Sequence, residues 1–458
     1  MTNVSFDAMD SKNKVILLEF NELCPPLLEK FMAQGELPNF SKLYANAAVH
    51  TTDANCDVEY LEPWIQWVTL HTGLPFEQHK VFRLGQAQNL NHESIWDVLS
   101  AHGKASWLCG SMNTKWQPGD NNITALPDPW SIDVEASPGE LQEFYRFVRA
   151  NVQEHTNDNF TLSIGDYMSF LVFMLRHGLS FSSIKRITSA VWKQAIKSDD
   201  RWKKATLLDW LQFDVFRHVY KRKQPAFATY FSNSTAHFQH KFWRYMEPER
   251  FPMKSSEEDI QRYGDAILYA YKNHDALIGK VFDMADDDTT IILSSALSQQ
   301  PYTAKDEDGG RRFYRPHDMN KLPEWFGLTG VEKVGPVMSH QFHLLCDSPE
   351  AAQSNFERLK QFTFQDSPLF SLRLEGKDVF GGCTVSHEVD MNTPLTIDGK
   401  QVTFGELFYL ADNIKSGMHH PHGVFWAYRP KRANTIASTP IPLESTMGMI
   451  LNEFGISR

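Results

Sequence analysis

The chain predicts an α/β protein with an open, mostly parallel central sheet and helices on both faces. Three observations carry this. Short apolar runs recur at residues 15–20, 104–109, 226–231, 290–294 and 423–428. Runs of that length, largely apolar, mark strands covered on both faces. Stretches of helical length separate several of them, giving a strand–helix–strand rhythm. Hydrophobic residues make up 42% of 458 residues, enough for a large core or for two ordinary domains.

The elements follow in order. Residues 15–20 read as a buried strand. Pro25-Pro26 opens a helix through Leu27, Leu28 and Phe31, because proline suits a first helical turn, and Gly35 closes it. Residues 64–70 form a second apolar segment, stopped at Thr72-Gly73, and 94–100 a helix before the strand at 104–109. Four consecutive helices are expected at 140–154, 167–177, 183–197 and 205–222. The strand pattern then returns at 226–231. A helix containing Ile267, Tyr271, Leu277, Ile278 and Phe282 leads to the strand at 290–294. Residues 340–346, 349–361 and 370–374 read as a small strand–helix–strand unit, and 444–454 as a closing helix. The expected organisation is a core of 1–137, 223–299 and 406–458. A helical cap at 138–222 and an α+β insertion at 300–405 interrupt it.

Lys and Arg number 45 against 56 Asp and Glu, a net charge of −11, which argues against a nucleic-acid footprint. The five cysteines are odd in number and show no C-x-x-C spacing, so reduced thiols and a cytoplasmic location are expected. The polar stretch 1–14 does not read as a secretory leader, and the apolar run from Phe170 to Leu175 is too short to span a bilayer.

The segment Ser234-Thr235-Ala236-His237-Phe238-Gln239-His240, read as a strand end followed by a loop, is the most informative stretch. It resembles the Asp-x-x-x-His metal motif of the alkaline phosphatase superfamily, in its type I phosphodiesterase and sulfatase-like branch. Ala236 stands at the Asp position. Five further segments match that superfamily in order. Residues 15–28 with Leu37-Pro38-Asn39-Phe40 resemble the opening strand and its metal-Asp loop, with Asn21 in the acid's place. Residues 62–73 resemble the nucleophile segment, where a Thr or Ser precedes proline; here Glu62 precedes Pro63. Residues 263–275 resemble the next helix. Residues 290–298 end in Ala296-Leu297-Ser298 where the family has Asp-His-Gly, and His419-His420-Pro421-His422-Gly423 resembles the last metal histidine. The resemblance implies a three-layer α/β/α sandwich of the alkaline phosphatase type.

In that superfamily two metal ions polarise the ester and activate the nucleophile. Carried over, the first ion keeps His240 and His419. The second loses its donors, because Asn21 is uncharged and Ala296 and Leu297 cannot coordinate. A single site at most is implied, holding zinc or manganese, with Glu62 as its carboxylate and His237, His420 and His422 as further candidates. Otherwise the two imidazoles line a metal-free polar cleft. Glu62, His240 and His419 are the catalytic candidates. A metal-independent site would gather Glu62, Glu19 and Glu22 at the strand ends, one of them acting as general base. Glu22, just before Pro25, reads instead as a solvent-facing or helix-terminal acid, and Glu19, in an apolar strand, calls for a buried partner. Asn21, Glu19, Trp64, Trp243, Arg311 and Arg312 are candidates for substrate binding, with Trp67 and Trp426 as further stacking surfaces and Arg315 and His317 beside the arginine pair.

Two functions follow. One is a divergent hydrolase or transferase acting on a phosphate or sulfate ester, sugar-linked substrates included. The other is an inactive relative binding an anionic or glycan ligand, or a protein partner, in the inherited cleft. The basic residues Lys185, Arg186, Lys193 and Lys197 beside the apolar 170–175 face read first as a plain amphipathic cap covering the cleft, with contact with an anionic membrane surface as the alternative.

Overall fold

The apolar run after the chain's polar start forms β1 (Lys14–Phe20). Its side chains alternate between two cores: Ile16, Leu18 and Phe20 enter one, Val15 and Leu17 the other. That two-residue period is what a strand covered on both faces requires. The computed structural model describes residues 13–131, 134–156, 162–196, 199–338, 340–412 and 414–457. Residues 1–12 and Lys197, which entered the sequence reading, lie outside the described residues.

Eight further strands join β1: β2 (Ala47–Asp53), β3 (Ser106–Cys109), β4 (Ile123–Leu126), β5 (Phe227–Ser232), β6 (Thr289–Ser295), β7 (His422–Tyr428), and the short β8 (Thr435–Ile436) and β9 (Ile441–Pro442). The order is β8-β2-β7-β6-β1-β5-β3-β4, with β9 also paired to β2. β6, β1, β5, β3 and β4 run parallel. β7 runs antiparallel to both β6 and β2, so the sheet is mixed and mostly parallel. The helices Pro25–Ala33, Pro38–Ala45 and Ala266–Phe282 cover one face. The helices Pro63–Thr72, Ile95–Ala101 and Ser445–Asn452 cover the other, completing three layers. β2 was not anticipated, because Ala47-Ala48-Val49-His50-Thr51-Thr52-Asp53 alternates between buried and half-buried positions and lacks an apolar run.

The four helices after the first sheet segment are Gln142–Thr156, Ile164–Arg176, Phe181–Ala195 and Leu207–Lys223. The last packs on the sheet: the Phe213 and Phe216 rings each lie 5.4 Å from that of Tyr230 on β5. The residues around 313–408 have their own core, including Phe326, Phe342, Leu344, Phe370 and Val379. Its antiparallel sheet runs Phe370–Glu375, Asp378–Cys383, Gln341–Cys346, Val331–Gly335, under the helix Pro349–Leu359.

One local expectation is corrected. Residues 234–244 are not a strand end and loop but part of the helix Ser234–Met246. Phe238, Phe242 and Trp243, at i, i+4 and i+5, share its buried side. A buried polar network ties that helix to the sheet. His274 accepts or donates at Ser232 Oγ (2.8 Å) and Thr235 Oγ1 (2.7 Å), and Asp209 accepts from Ser232 Oγ (2.8 Å) and from Asn273 (3.0 Å).

Burial lowers the His274 pKa to about 3 and raises that of Asp209 to about 6. His274 therefore loses stability for the fold as pH falls below its unfolded value near 6.5, whereas Asp209 gains it as pH falls from 6 toward its unfolded value near 3.9. The two slopes offset. Asp209→Asn should expose the histidine slope, losing about 1.4 kcal/mol per pH unit relative to the parent between about pH 6 and the unfolded Asp value near 3.9. Denaturant titrations across that range check it; parallel curves for the two proteins would refute it.

Candidate functional site

In open α/β sheets ligands bind beyond the carboxyl ends of the strands. Glu19 on β1 pairs with Phe231 on β5 and Ser294 on β6, so the segments leaving these three strands emerge level with one another. Asn21 and Glu22 follow β1, the helix Ser234–Met246 follows β5, and Ala296 to Gln299 follow β6. A two-stranded antiparallel ladder, Ser298–Pro301 with Gly417–His420, closes the group and carries His419.

At the centre is the Glu22 carboxylate, buried to 2% exposure. His240 Nε2 lies 3.2 Å from its Oε2, and His419 Nε2 lies 3.6 Å from its Oε1. Among the described residues, Glu22, His240 and His419 are the group of ligand-type side chains whose donor atoms all lie within 4.8 Å of one another. Both imidazoles turn their other nitrogen to an oxygen: His240 Nδ1 meets the Gly417 carbonyl at 3.1 Å, and His419 Nδ1 faces Glu62 Oε2 at 3.6 Å. A proton on each Nδ1 leaves both Nε2 lone pairs toward Glu22, the tautomer metal-ligating histidines use.

Glu22 holds a left-handed backbone, φ 60°, uncommon for a residue with a side chain. Three contacts hold it. Gln239 Nε2 donates to the Glu22 carbonyl (2.7 Å), Tyr271 OH donates to Gln239 (2.9 Å), and the next amide, Leu23 N–H, donates to Ser295 Oγ (3.0 Å). The carboxylate also accepts from Asn21 Nδ2 (3.0 Å) and from Gln299 Nε2. Burial works against its charge. The His419 and His240 imidazoles, by charge and hydrogen bond, outweigh that and hold its carboxyl well below the usual range. Burial also works against charge on His419, but Glu22 and Glu62 prevail and raise its pKa to about 9.

Glu62 is the N-cap of the helix Pro63–Thr72 but makes no capping bond, so its carboxylate is free to face His419. Its side chain is 31% exposed, yet the protein packed around the carboxyl raises its pKa, with Glu22 adding to the effect and His419 opposing it. Lys415 lies on the same side. Burial and the nearby Arg311 guanidinium lower its pKa, against the pull of Glu62 and Glu22.

The donor set suits one divalent ion: two imidazoles and a carboxylate make a zinc-type ligand set. A second ion does not fit. Asn21 Oδ1 accepts from the Trp67 indole N–H (2.8 Å) and its NH2 donates to Glu22 and Asn233, so both ends of this uncharged amide are engaged within the protein. Ala296 and Leu297 are fully buried in the apolar core.

The structure revises several candidates. Glu22 does not cap the helix at Pro25 or face solvent; it replaces Glu62 as the carboxylate beside both histidines. Glu19 is turned away from the cluster, 2.6 Å from His71 in a fully buried pair. Trp243 is buried and donates to Glu247 (3.0 Å), Trp67 and Trp426 are core residues, and Trp64 donates to the Phe82 carbonyl (3.1 Å). None of the four is freely presented for stacking. Arg312 pairs with Glu388 (2.8 Å), while Arg311 lies over the Phe313 ring beside Lys415. His422 approaches Asp53 at 3.8 Å and His420 stacks edge-on to His422, apart from the trio. The signal for Glu22 was present: an acid directly beyond an apolar strand, where the fold places ligands.

The family model for type I phosphodiesterase / nucleotide pyrophosphatase matches residues 15–320, two-thirds of the chain. The chain belongs to that family. Its place within the alkaline phosphatase superfamily is thus the one the motifs implied. No curated protein is similar to it in sequence. Among solved structures, this phosphodiesterase-family chain is similar to murine ectonucleotide pyrophosphatase / phosphodiesterase 5 in complex with AMP, at 11% identity, covering 97% of this chain and 96% of that one, TM-score 0.45. The human protein of the same name gives 10%, 97%, 95% and 0.44. Phosphonoacetate hydrolase from Sinorhizobium meliloti 1021 with phosphonoacetate gives 10%, 97%, 96% and 0.45.

Proposed function

We propose that this member of the phosphodiesterase family is a phosphoester hydrolase assisted by one divalent ion rather than two. The observation that carries the reading is the Glu22 carboxylate beside the Nε2 atoms of His240 and His419, with both Nδ1 atoms facing oxygen. Zinc or manganese held there supplies Lewis acidity toward a phosphoryl oxygen. Glu62, where the family has its hydroxyl nucleophile, serves instead as general base. Its raised pKa suits it to take the proton of an attacking water and return it to the departing alkoxide. Lys415 and Arg311 place positive charge next to the carboxylates, where the ester's anionic oxygens would lie.

The test is turnover of bis(p-nitrophenyl) phosphate and a panel of sugar phosphate and sulfate esters with added zinc or manganese. Glu62→Gln should lower kcat by about 100-fold or more and leave metal content unchanged. Unaltered kcat in that variant removes Glu62 from the chemistry.

A second reading, a silent binding protein, is favoured by the amides of Asn21 and Gln299, which already occupy the Glu22 oxygens. Tight binding of phosphate or a glycan without turnover of any ester would establish it.

A further inference from the structure

Helix Ile164–Arg176 is apolar on two sides. Its inner stripe, Phe170, Phe173 and Met174, is buried, with the Phe170 ring stacked 3.8 Å from that of Phe147. Its outer stripe, Ile164, Tyr167, Met168, Leu171, Val172 and Leu175, follows the spacing i, i+3, i+4, i+7, i+8, i+11 and is exposed throughout, from 42 to 83%. The next helix, Phe181–Ala195, also carries exposed apolar side chains: Phe181 is 93% exposed, Ile184 39%, Val191 61% and Trp192 63%. With Ile196, eleven of the fourteen large hydrophobic side chains exposed among the described residues fall between residues 164 and 196. A helix apolar all round belongs inside a core or against an apolar phase, and soluble surfaces rarely carry so concentrated a patch.

Charge identifies the occupant. Between residues 164 and 204 there are eight basic and three acidic residues, a net of +5 in a chain of −11. Lys193 and Lys203 are engaged with Asp200, but Arg176 and Lys185 project from exposed positions on the same two helices. A second copy docking face to face would set one +5 segment against another. An anionic leaflet offers the complement. We propose that these two consecutive helices dock on an anionic bilayer surface, inserting the outer stripe of the first with Phe181 and Trp192 of the second at headgroup depth. The helices lie in the interface and do not cross it; no helix among the described residues is long and apolar enough to span a membrane. This is independent of the metal-site chemistry.

The full chain should be sedimented with vesicles of phosphatidylcholine alone and of phosphatidylcholine with about one-third phosphatidylglycerol. At least tenfold stronger partitioning to the anionic vesicles is expected, since each basic residue near such a surface contributes roughly fivefold. Phe181→Asp with Trp192→Asp should remove about tenfold or more of the binding, and Arg176→Glu with Lys185→Glu should remove the preference for anionic lipid. Absence of vesicle binding by the folded parent protein overturns the proposal. So does a concentration-dependent dimer that the Asp pair converts to monomer while vesicle binding is unaffected.

Discussion

Glu22→Gln is expected to abolish divalent-ion binding and to cost the metal-free protein about 3 kcal/mol at mildly acidic pH, the range for breaking a buried ion pair from one side. Glu22 is the one charged donor between the imidazoles, and His419 is only 20% exposed. The sign of the pH dependence is fixed by the two shifts. Glu22, held below its usual range, stabilises the fold above its unfolded value near 4.3 and ceases to as pH falls further. His419, raised to about 9, contributes fully below its unfolded value near 6.5 and loses the contribution as pH rises through 9. The penalty is therefore greatest between about pH 5 and 6.5 and shrinks toward pH 9. Denaturant melts of chelator-treated protein measure it. Proton NMR of His419 adds an independent readout: without Glu22, burial should weigh more and carry the imidazole pKa down from about 9. A His419 that still titrates near 9 would mean that Glu62 alone charges it.

Gly417→Ala should be nearly as disruptive for a steric reason. A Cβ there would press on the Gln299 side chain and meet the Gln239 carbonyl oxygen at 2.7 Å. Gln299 and Gln239 both hold Glu22, the Gly417 carbonyl anchors His240, and His419 lies two residues on. The expected loss is about 1–3 kcal/mol from overpacking, together with roughly 10–100-fold in metal affinity from the displaced supporting groups. Gly448→Ala is the control. Nothing lies within 4 Å of its added Cβ, and in the helix Ser445–Asn452 it should stabilise by about 0.5–1 kcal/mol. Equal melting temperatures for Gly417→Ala and the parent would show that the ladder yields without cost.

Much of the scaffold was legible because its signals are local. β1, β5 and β6 are buried on both faces and read as short, largely apolar runs. His240 and His419 were legible through motif context, and the structure brings their rings to 5.3 Å between centroids. What was missed depends on contacts between distant segments. The 234–246 helix begins with three small residues after β5, which mimics a strand running into a loop; its identity lies in the burial of Phe238 and Phe242. β2 owes its existence to pairing with β7, some 375 residues later. Glu22 was passed over because Pro25 suggests a helix start nearby. Its real environment is made by Gln239, Gln299, His240 and His419, which no local pattern announces.

The central claim is that Glu22, one position beyond Asn21, supplies beside His240 and His419 the carboxylate that Ala236 no longer offers, giving a one-ion site where two ions are no longer held. Metal stoichiometry tests it most directly, on full-length protein purified without chelator and equilibrated with zinc or manganese. The account predicts one ion per chain in the parent and none in Glu22→Gln or His240→Ala. Two ions per chain, or one retained without Glu22, would contradict it.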